Sequence, residues 1–329
     1  MTMAQVLSGF GPPEVMQWRK FPLPPPGPSE VRIRHTAIGV NFADTYHRGG
    51  ISHPWPVPPP PCVIGFEAAG IVEDVGQEVT DFAAGDRVAY GVPPLGSYAE
   101  ARNYPAARLL RLPDWLEDRQ AAAVLMKGMT AQYLLRRTYR VQPGDAVLVH
   151  AAAGGMGLIL CRWARHLGAT VIGTVSTPKK AELARAAGCH HAIVRSEQDF
   201  VQVCREVTGG EGVAVVYESI GKDTLQRSLD CLQLMGVCAA YGHVSGPPDP
   251  VDIITDLGAR GSLFITRPAI MHYVARRADL EASASELFEA IAAGAVKVDI
   301  SREYPLKDAV EAHRAIESGV TTGASILVP

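Results

Sequence analysis

Between residues 121 and 265, short apolar runs alternate with longer segments of helical composition. The apolar runs predict strands at 145–150, 170–174, 192–194, 214–218, 237–241 and 262–265. The segments between them predict helices at 158–167, 178–187, 199–207 and 223–232, after a first helix that leads from the apolar stretch 121–126 through 130–137. Strands that alternate with helices predict a parallel, doubly wound sheet of the α/β class.

The chain on either side of this region follows other patterns. Residues 1–120 are rich in proline and predict β-strands at 30–36, 70–76 and 86–90. After residue 265, the sequence predicts helices at 280–293 and 306–318 and a closing strand at 324–328. Because the closing strand has no partner of its own, we expect it to return to the N-terminal β region. The predicted domains are therefore 1–122 together with 266–329, and 123–265.

A proline-rich run, PWPVPPPP, occupies residues 54–61. Proline supplies no N–H donor, so this run excludes a central strand or a helix. It predicts a surface loop of polyproline character, and a binding loop for proline-reading partners is the alternative.

The stretch DAVLVHAAAGGMG, residues 145–157, joins a buried strand to a small-residue turn that opens a helix. Such a turn lets the backbone approach a pyrophosphate, and the N–H groups of the helix then face the phosphates. The pattern departs from G-x-G-x-x-G, because Ala152 stands at the first glycine while Gly154 and Gly157 fill the other two places. Since a strand follows the helix, we interpret the turn as a dinucleotide site rather than as a purely structural turn. The candidate cofactor-binding residues of the turn are Ala152, Gly154, Gly155, Met156 and Gly157.

The end of the second predicted strand carries no acidic residue. A fold that prefers NAD usually has Asp or Glu there, to bind the ribose 2′-OH. Here Ser176 and Thr177 precede Lys179 and Lys180, and Arg195 follows the third strand. These cations suit a 2′-phosphate and favour NADPH over NADH. The alternative is that the two lysines form only the solvated start of the following helix.

The ligand of a doubly wound sheet lies outside the carboxyl ends of its strands. This rule places the stretches 218–221 (ESIG) and 241–244 (YGHV) beside the cofactor. Ser219, Tyr241 and His243 are the candidate contacts in these stretches.

Composition limits the classes of function. A net charge of −3 argues against nucleic acid as the main partner. No apolar run reaches the roughly 18 residues of a membrane-spanning helix, and the start MTMAQVLSGFG lacks the features of a signal peptide. The six cysteines include no C-x-x-C pair, so we expect reduced, mostly buried thiols in a cytoplasmic protein.

Seven stretches, taken in order, resemble the zinc-independent quinone oxidoreductases of the medium-chain dehydrogenase/reductase superfamily, the zeta-crystallin-like proteins. The stretches are 39–46 (GVNFADTY), 65–70 (GFEAAG), 85–88 (GDRV), 127–130 (KGMT), 151–157 (AAAGGMG), 217–221 (YESIG) and 266–268 (TRP). The resemblance covers essentially the whole chain. It implies a GroES-like, β-rich catalytic domain, an NADPH-binding Rossmann domain and a homodimer.

The same resemblance indicates where a metal would bind. Zinc-dependent relatives use Cys and His ligands in the N-terminal domain, and here Asn41 and Phe66 stand in the places of a Cys and a His ligand. A catalytic zinc needs three protein ligands and a structural zinc needs four, so we predict no metal. The expected reaction is then direct transfer of a hydride, or of electrons, to an acceptor that is already electrophilic.

By resemblance, Asn41 and Tyr46 border the nicotinamide and the substrate and are the candidate catalytic residues. Tyr46 would orient a quinone oxygen or donate a proton, although a phenol with a pKa of roughly 10 is a poor acid unless perturbed. The alternatives are that Tyr46 only packs in the wall of the site and that Asn41 only satisfies a turn. The further cofactor-binding candidates that the resemblance implies are Lys127, Thr130, Lys180, Phe264, Ile265 and Arg267.

The chain departs from close relatives at three places. Ser52 and His53 stand where relatives carry a second tyrosine of the site. Arg195 replaces a tyrosine that helps to hold the 2′-phosphate, and Gly319 replaces an arginine near the cofactor. The first change affects the expected shape of the substrate, and the last affects the expected affinity for NADPH.

Three functions compete at this point. The leading hypothesis is an NADPH:quinone oxidoreductase that acts on a small-molecule quinone. The second is an NADPH-dependent reductase of α,β-unsaturated aldehydes or ketones. The third, from a different class, is an NADPH-binding non-enzymatic or RNA-binding protein of the zeta-crystallin type.

Overall fold

The structure is a computed structural model that describes residues 1–51 and 56–329. The sequence departure at Ser52 and His53 and the start of the proline-rich run, Pro54 and Trp55, lie outside the described residues. Residues 56–61 of that run belong to no helix or strand. No described helix is both long enough and apolar enough to cross a bilayer.

The elements follow one another in three groups. The first contains strands β1 (Thr2–Leu7), β2 (Met16–Phe21), β3 (Glu30–Val40), β4 (Cys62–Val63), β5 (Glu67–Val75), β6 (Arg87–Tyr90), β7 (Ala101–Pro105) and β8 (Leu110–Arg111), with helices α1 (Phe42–Arg48) and α2 (Asp118–Tyr133). The second contains β9 (Ala146–Val149), β10 (Thr170–Val175), β11 (His191–Val194), β12 (Val213–Glu218), β13 (Leu232–Ala240) and β14 (Phe264–Thr266), with α3 (Gly155–His166), α4 (Pro178–Ala186), α5 (Phe200–Val207), α6 (Leu225–Asp230) and α7 (Ile270–Tyr273). The third contains α8 (Arg277–Ala292), β15 (Ile300–Pro305), α9 (Ala309–Glu317) and β16 (Ala324–Val328). Short 3-10 turns occur at Pro13–Val15, Ala106–Arg108 and Leu306–Asp308, and wider helical turns at Leu134–Thr138 and Ile253–Gly258.

Residue contacts divide the chain into two compact units. Unit 1 consists of Met1–Lys127, Tyr273–Ser285 and Val298–Pro329, and unit 2 consists of Gly128–His272 and Glu286–Lys297. The end of α8 belongs to unit 2 because Glu286 accepts hydrogen bonds from Gln132 and Arg136. The domain limits expected from the sequence, 1–122 with 266–329 and 123–265, differ from these junctions by several residues and stay a prediction.

Unit 2 is built on a six-stranded parallel sheet of the order β11-β10-β9-β12-β13-β14. When strands are counted from β9, this is the 3-2-1-4-5-6 order of dinucleotide-binding folds. The central strands β9 and β12 are apolar runs because helices cover both faces of such a sheet. The predicted parallel, doubly wound sheet is confirmed. In this topology the strand order reverses between β9 and β12, and the ligand crevice of the fold lies at that point.

Unit 1 contains two further sheets, one of the order β2-β1-β4 and one of the order β15-β16-β3-β5-β6-β8, in which β7 also pairs with β3. The C-terminal strand β16 pairs antiparallel with β3, where Leu327 lies opposite Ile38. The expectation that the closing strand returns to the N-terminal β region is therefore confirmed. A continuous apolar core lies under these sheets, and its largest fully buried side chains include Tyr90, Tyr98 and Tyr104.

The predicted strands and helices of unit 2 agree with the observed ones, except near residues 223–237. There α6 covers only Leu225–Asp230, and β13 begins at Leu232, well before the expected start at residue 237. The reason is an irregular strand, because Met235 adopts a φ of +58° and the pairing with β12 shifts register between Val213 and Val215. The alternation of apolar residues is interrupted at that irregularity, and the sequence pattern consequently hid the first half of β13.

Candidate functional site

The turn between β9 and α3 is as tight as the small residues predicted. Ala151 adopts a φ of +51°, and α3 begins at Gly155 after the extended residue Gly154. A Cβ atom added to Gly157 would lie 2.2 Å from the carbonyl oxygen of Ala151 and 2.6 Å from the Cα of Ala152. Since both obstacles are backbone atoms, only glycine fits at position 157. The first N–H groups of α3 have no partner within a helix and are the donors that a phosphate would use.

The structure also explains why the turn tolerates Ala152 in place of the first glycine. Ala152 is fully buried, and its N–H donates to the carbonyl of Thr174 in β10 at 3.0 Å. The residue of β10 before Thr174 is close to the methyl group of Ala152: a Cβ atom on Gly173 would lie 2.7 Å from the Cβ of Ala152. A glycine on β10 therefore provides the space that the first glycine of the motif usually provides.

The residues expected to bind a 2′-phosphate lie at the carboxyl ends of β10 and β11. Ser176 and Thr177 are exposed, and the Thr177 hydroxyl accepts a hydrogen bond from the Lys180 N–H at the start of α4. Lys180 is half-buried, which lowers the pKa of its amine. Arg195 is exposed directly after β11, and its N–H donates to the carbonyl of Val175 at 3.1 Å. Two cations and two hydroxyls thus occupy neighbouring strand ends, and no acidic side chain follows β10.

The ends of β12, β13 and β14 carry the remaining candidates of unit 2. Ser219 is buried, and two backbone bonds join its loop to the next one, from Val244 to Ser219 at 3.1 Å and from Ser245 to Ile220 at 2.8 Å. Arg267 Nη2 lies 3.5 Å from His243 Nδ1, so these two candidates are brought together. The other candidates at these strand ends are Tyr241 after β13, and Phe264 and Ile265 within β14.

A buried polar network, which the sequence analysis missed, fixes the same edge of the sheet. The Glu218 carboxylate at the end of β12 accepts hydrogen bonds from the N–H of Ile220 at 2.6 Å and from the hydroxyls of Thr224 and Ser228 at 2.9 and 2.6 Å. His150, just after β9, is joined to Ser228 at 2.9 Å. Burial lowers the pKa of His150, which favours the neutral imidazole. The network ties the ends of β9 and β12 to α6 and holds the loop that carries Ser219. The only sequence signal was a glutamate that ends an apolar strand.

In unit 1, Asn41 and Lys127 meet on one carboxylate. Asn41 precedes α1, and its Nδ2 donates to Glu67 Oε2 at 2.9 Å. Lys127 is nearly buried on α2, and its Nζ lies 3.5 Å from the same oxygen. The side chain of Asn41 therefore has a partner far from its own turn. Glu67 was part of the stretch GFEAAG, but no sequence pattern assigned it a role.

The two other candidates of α1 and α2 are Tyr46 and Thr130. Tyr46 is half-buried on α1, and its ring meets the edge of Phe42 with a centroid separation of 5.3 Å. Thr130 is buried on α2 in unit 2. Because α1 carries Tyr46 and follows Asn41 directly, whatever fixes this short helix also fixes both candidate catalytic residues.

A chain of buried hydrogen bonds fixes α1. Arg48 Nη1 donates to His313 Nδ1 at 2.8 Å, so the neutral ring carries its proton on Nε2. That nitrogen lies 3.0 Å from the Tyr98 hydroxyl, which in turn donates to Asp44 Oδ2 at 3.0 Å. The same carboxylate oxygen accepts the N–H of Asn41 at 2.9 Å, which closes the start of α1. Arg48, His313 and Tyr98 thus each donate to the next group of the chain, which ends at Asp44. The Asn41 N–H donates to Asp44 directly.

Burial sets the protonation of this chain. It lowers the pKa of His313 to about 3 and raises the pKa of Asp44 to about 7. Oδ1 of Asp44 is buried without a hydrogen-bond partner, which adds to the cost of its charge. The site residues of α1 therefore rest on groups whose protonation depends on pH.

Asn41 and Phe66 occupy the two positions at which zinc-dependent relatives are expected to carry ligands. Phe66 packs against His47 with ring centroids 4.8 Å apart. Within residues 1–51 and 56–329, no three or more His, Cys, Asp or Glu side chains are arranged to hold a metal ion. The six cysteines are buried, free thiols. The predicted absence of a metal stays a prediction that rests on Asn41 and Phe66.

The family models and the curated relatives that match this chain agree on one family of oxidoreductases. Residues 27–114 match the family described as alcohol dehydrogenase GroES-like domain, and residues 155–289 match the family described as zinc-binding dehydrogenase. A 2-haloacrylate reductase from Burkholderia sp is 55% identical over 100% of this chain and 99% of its own length. Quinone oxidoreductase 1 from Escherichia coli K12 is 46% identical over 97% of both chains.

The solved structures agree with these relatives. The crystal structure of Escherichia coli quinone oxidoreductase complexed with NADPH superposes with a TM-score of 0.95 at 44% identity, and covers 99% of this chain and 100% of that one. A match over nearly the whole length covers the residues of both units. The chain therefore belongs to the quinone oxidoreductase family of the medium-chain dehydrogenase/reductase superfamily.

Proposed function

We propose that the protein reduces a quinone with NADPH, without zinc. The observation that carries this proposal is the junction of β9 and α3, where Gly157 brings the backbone within reach of a pyrophosphate at the switch point of the sheet. The Escherichia coli relative whose structure is complexed with NADPH supports the choice of cofactor. Lys180 and Arg195 supply the positive charge that a 2′-phosphate needs.

NADPH, when bound, supplies a hydride from its nicotinamide ring. The acceptor gains that hydride and a proton from solution, so a quinone becomes a hydroquinone and NADP⁺ remains. The role of this chain is to orient the reactants and to stabilise the negative charge that develops on the acceptor oxygen. The Lys127 ammonium and the Asn41 amide suit that role as fixed donors, and Tyr46 orients the acceptor.

A second candidate function is the reduction of an activated carbon–carbon double bond. The relative that is 55% identical is named 2-haloacrylate reductase, and its identity exceeds that of the quinone oxidoreductases from Escherichia coli and Pseudomonas aeruginosa. An α,β-unsaturated acid, aldehyde or ketone accepts a hydride at the carbon remote from its carbonyl group. The hydride donor and the fixed cation would serve both reactions.

A substrate panel tests the proposal. NADPH oxidation is measured against 1,4-benzoquinone, 9,10-phenanthrenequinone, an alkenal and 2-chloroacrylate, each with and without a chelator. We expect turnover of the quinones that the chelator leaves unchanged. Preference for the alkenal or the haloacrylate would assign double-bond reduction instead. Loss of activity with the chelator would refute the zinc-free mechanism, and tight NADPH binding without turnover would favour a non-enzymatic or RNA-binding role.

Lys180→Ala is expected to weaken the use of NADPH and to leave the use of NADH unchanged. A charged contact to phosphate contributes about 1.5–3 kcal/mol, which corresponds to a rise in KM for NADPH of about 10-fold or more. Steady-state kinetics with both cofactors measure the effect. Lys307→Ala, an exposed lysine of unit 1 that is no candidate for cofactor binding, is the control and should change neither KM by more than about 2-fold. Equal losses with NADH and NADPH would contradict the assignment of Lys180.

We also propose a homodimer that forms through the β14 edge of unit 2. Several large apolar side chains of this unit are exposed: Leu234, Met235, Ile253, Ile254 and Phe264. Among the described strands, β14 stands at the edge of its sheet, and an edge strand beside apolar surface suits a self-complementary two-fold interface. Sedimentation equilibrium should give about twice the 35.2 kDa of the chain. Ile254→Glu should yield monomers, whereas Leu183→Glu on α4 should not, and a monomeric wild type would contradict the proposal.

The cellular location that we propose is the cytoplasm. All six cysteines are buried free thiols, although two pairs lie close enough for their sulfur atoms to influence each other, Cys161 with Cys189 and Cys204 with Cys231. Neighbouring thiols that stay reduced suit a reducing compartment.

A further inference from the structure

Glu67 is a fully buried carboxylate that gathers three donors of unit 1. Its Oε2 accepts from Asn41 Nδ2 at 2.9 Å and lies 3.5 Å from Lys127 Nζ. Its Oε1 accepts from the backbone N–H of Met126 at 2.7 Å. Two candidate site residues that are distant in sequence are thus held by one side chain.

The backbone provides a dedicated space for this carboxylate. Glu67 is the first residue of β5 and lies opposite Gly39 of β3. A Cβ atom on Gly39 would lie 2.4 Å from Glu67 Oε2 and 2.2 Å from the carbonyl oxygen of Ala122. Glycine at position 39 therefore lets the carboxylate pass over β3 to reach Asn41 and α2.

The charge of Glu67 imposes an orientation on its partners. A carboxylate only accepts hydrogen bonds, so the amide of Asn41 must turn its Nδ2 toward Glu67. A buried carboxylate is costly unless a cation or strong donors compensate it. The ammonium of Lys127 provides that compensation and is held within the same cluster. The carboxylate therefore fixes the orientation of the Asn41 amide and the position of the Lys127 ammonium.

We propose that Glu67 is a positioning residue for hydride transfer, because it fixes the Asn41 amide and the Lys127 ammonium, the two groups to which the proposed function gives a role in that step. This inference rests on the proposed function, which places those two groups at the reacting atoms. In this role Glu67 acts through its protein partners, Asn41, Lys127 and the Met126 N–H.

Glu67→Gln tests the proposal, because it keeps the shape of the side chain and removes one acceptor oxygen and the charge. We expect kcat to fall by about 10–100-fold, as for a small misplacement of reacting groups, while KM for NADPH changes by less than about 3-fold. With C4-deuterated NADPH, the isotope effect on kcat should rise because hydride transfer becomes slower. Asp118→Asn is the matched control, since Asp118 of unit 1 accepts from Arg87 and Thr36 and touches neither Asn41 nor Lys127. Its kcat should stay within about 2-fold of wild type.

A double variant separates positioning from folding. Lys127→Met leaves Glu67 without its cation and should lower Tm, and adding Glu67→Gln should restore much of that loss. The effect of Glu67→Gln on kcat should be much smaller in the Lys127→Met background than in wild type. Additive losses in kcat, or an unchanged isotope effect in Glu67→Gln, would overturn the proposal.

The fluorescence emission of bound NADPH gives a readout that needs no turnover. Glu67→Gln should shift the emission relative to wild type, and Asp118→Asn should not. If wild type binds NADPH but reduces no quinone or alkene, the proposed function fails, and the emission comparison still decides whether Glu67 orients the nicotinamide. Identical emission in Glu67→Gln and wild type would refute the role of Glu67.

Discussion

Gly157→Ala is expected to weaken NADPH binding by about 100-fold, equivalent to about 2.7 kcal/mol. The added methyl group would lie 2.2 Å from the Ala151 carbonyl oxygen and within 2.7 Å of two backbone atoms of Ala152. Backbone atoms cannot rotate away as a side chain can, so α3 must move off the turn. The N–H groups at the start of α3 then no longer converge on a pyrophosphate. Isothermal titration calorimetry with NADPH measures the loss.

The same substitution should also destabilise unit 2. Overpacking of a tight junction costs about 1–3 kcal/mol, and urea unfolding measures this cost. Gly258→Ala is the control, because its added Cβ would meet only the Ile253 carbonyl at 3.4 Å, an ordinary contact, and its φ is not in the left-handed region. Gly258→Ala should leave both NADPH affinity and stability close to wild type. If the Gly157→Ala variant binds NADPH within about 3-fold of wild type, α3 does not form the phosphate site.

The β9–α3 turn was predictable because its chemistry is local. Strand, turn and helix follow one another within a few residues. The backbone atoms that require glycine at position 157 belong to Ala151 and Ala152, in the same turn. The replacement of the first glycine by Ala152 was visible in the sequence, but its compensation was not. Gly173 lies on the next strand, and only the parallel pairing of β10 with β9 brings it to the methyl group of Ala152.

The polar groups that fix the site were beyond local patterns. Tyr98 meets Asp44 across 54 positions of the chain and His313 across 215. Asn41 meets Glu67 only because β3 and β5 pair with Gly39 opposite Glu67. Sequence periodicity identifies which face of a strand is buried, but it does not say which buried polar groups become partners. The family resemblance indicated candidate site residues such as Asn41. Their hydrogen-bond partners, such as Glu67, were identified only from the structure.

Stability of the protein is expected to fall steeply below about pH 6.5, where an unfolded histidine takes up its proton. Burial lowers the pKa of His35 and His313 to about 3 and that of His47 to about 4. Between pH 6.5 and about pH 5, these three histidines are neutral in the folded protein and bind protons when it unfolds. Acid therefore favours the unfolded state.

Asp44 acts in the opposite direction. Burial raises the pKa of its carboxyl to about 7, above the ordinary value of 3.8, so the folded protein holds this proton where the unfolded chain has released it. Its contribution to stability is full below about pH 4 and is lost as the pH rises through about 7. Unfolding near pH 5 therefore takes up three protons at the histidines and releases one from Asp44, a net uptake of about two. The four groups together should give a slope of about 3 kcal/mol per pH unit near pH 5, since each proton contributes about 1.4 kcal/mol per unit.

Two variants resolve these opposing contributions. His313→Gln removes one proton taken up on unfolding, so the slope of unfolding free energy against pH should become shallower by about 1.4 kcal/mol per unit. Asp44→Asn removes the proton held by the folded state, and the slope should become steeper by a similar amount. Urea unfolding at several values between pH 4.5 and pH 6.5 measures the slopes, which do not depend on the constant loss that each variant causes by breaking the hydrogen bonds to Tyr98. Equal slopes in wild type and His313→Gln would mean that His313 is protonated in the folded protein. In that case His313 could not accept from Arg48, and the hydrogen-bond chain that fixes α1 would have a different direction.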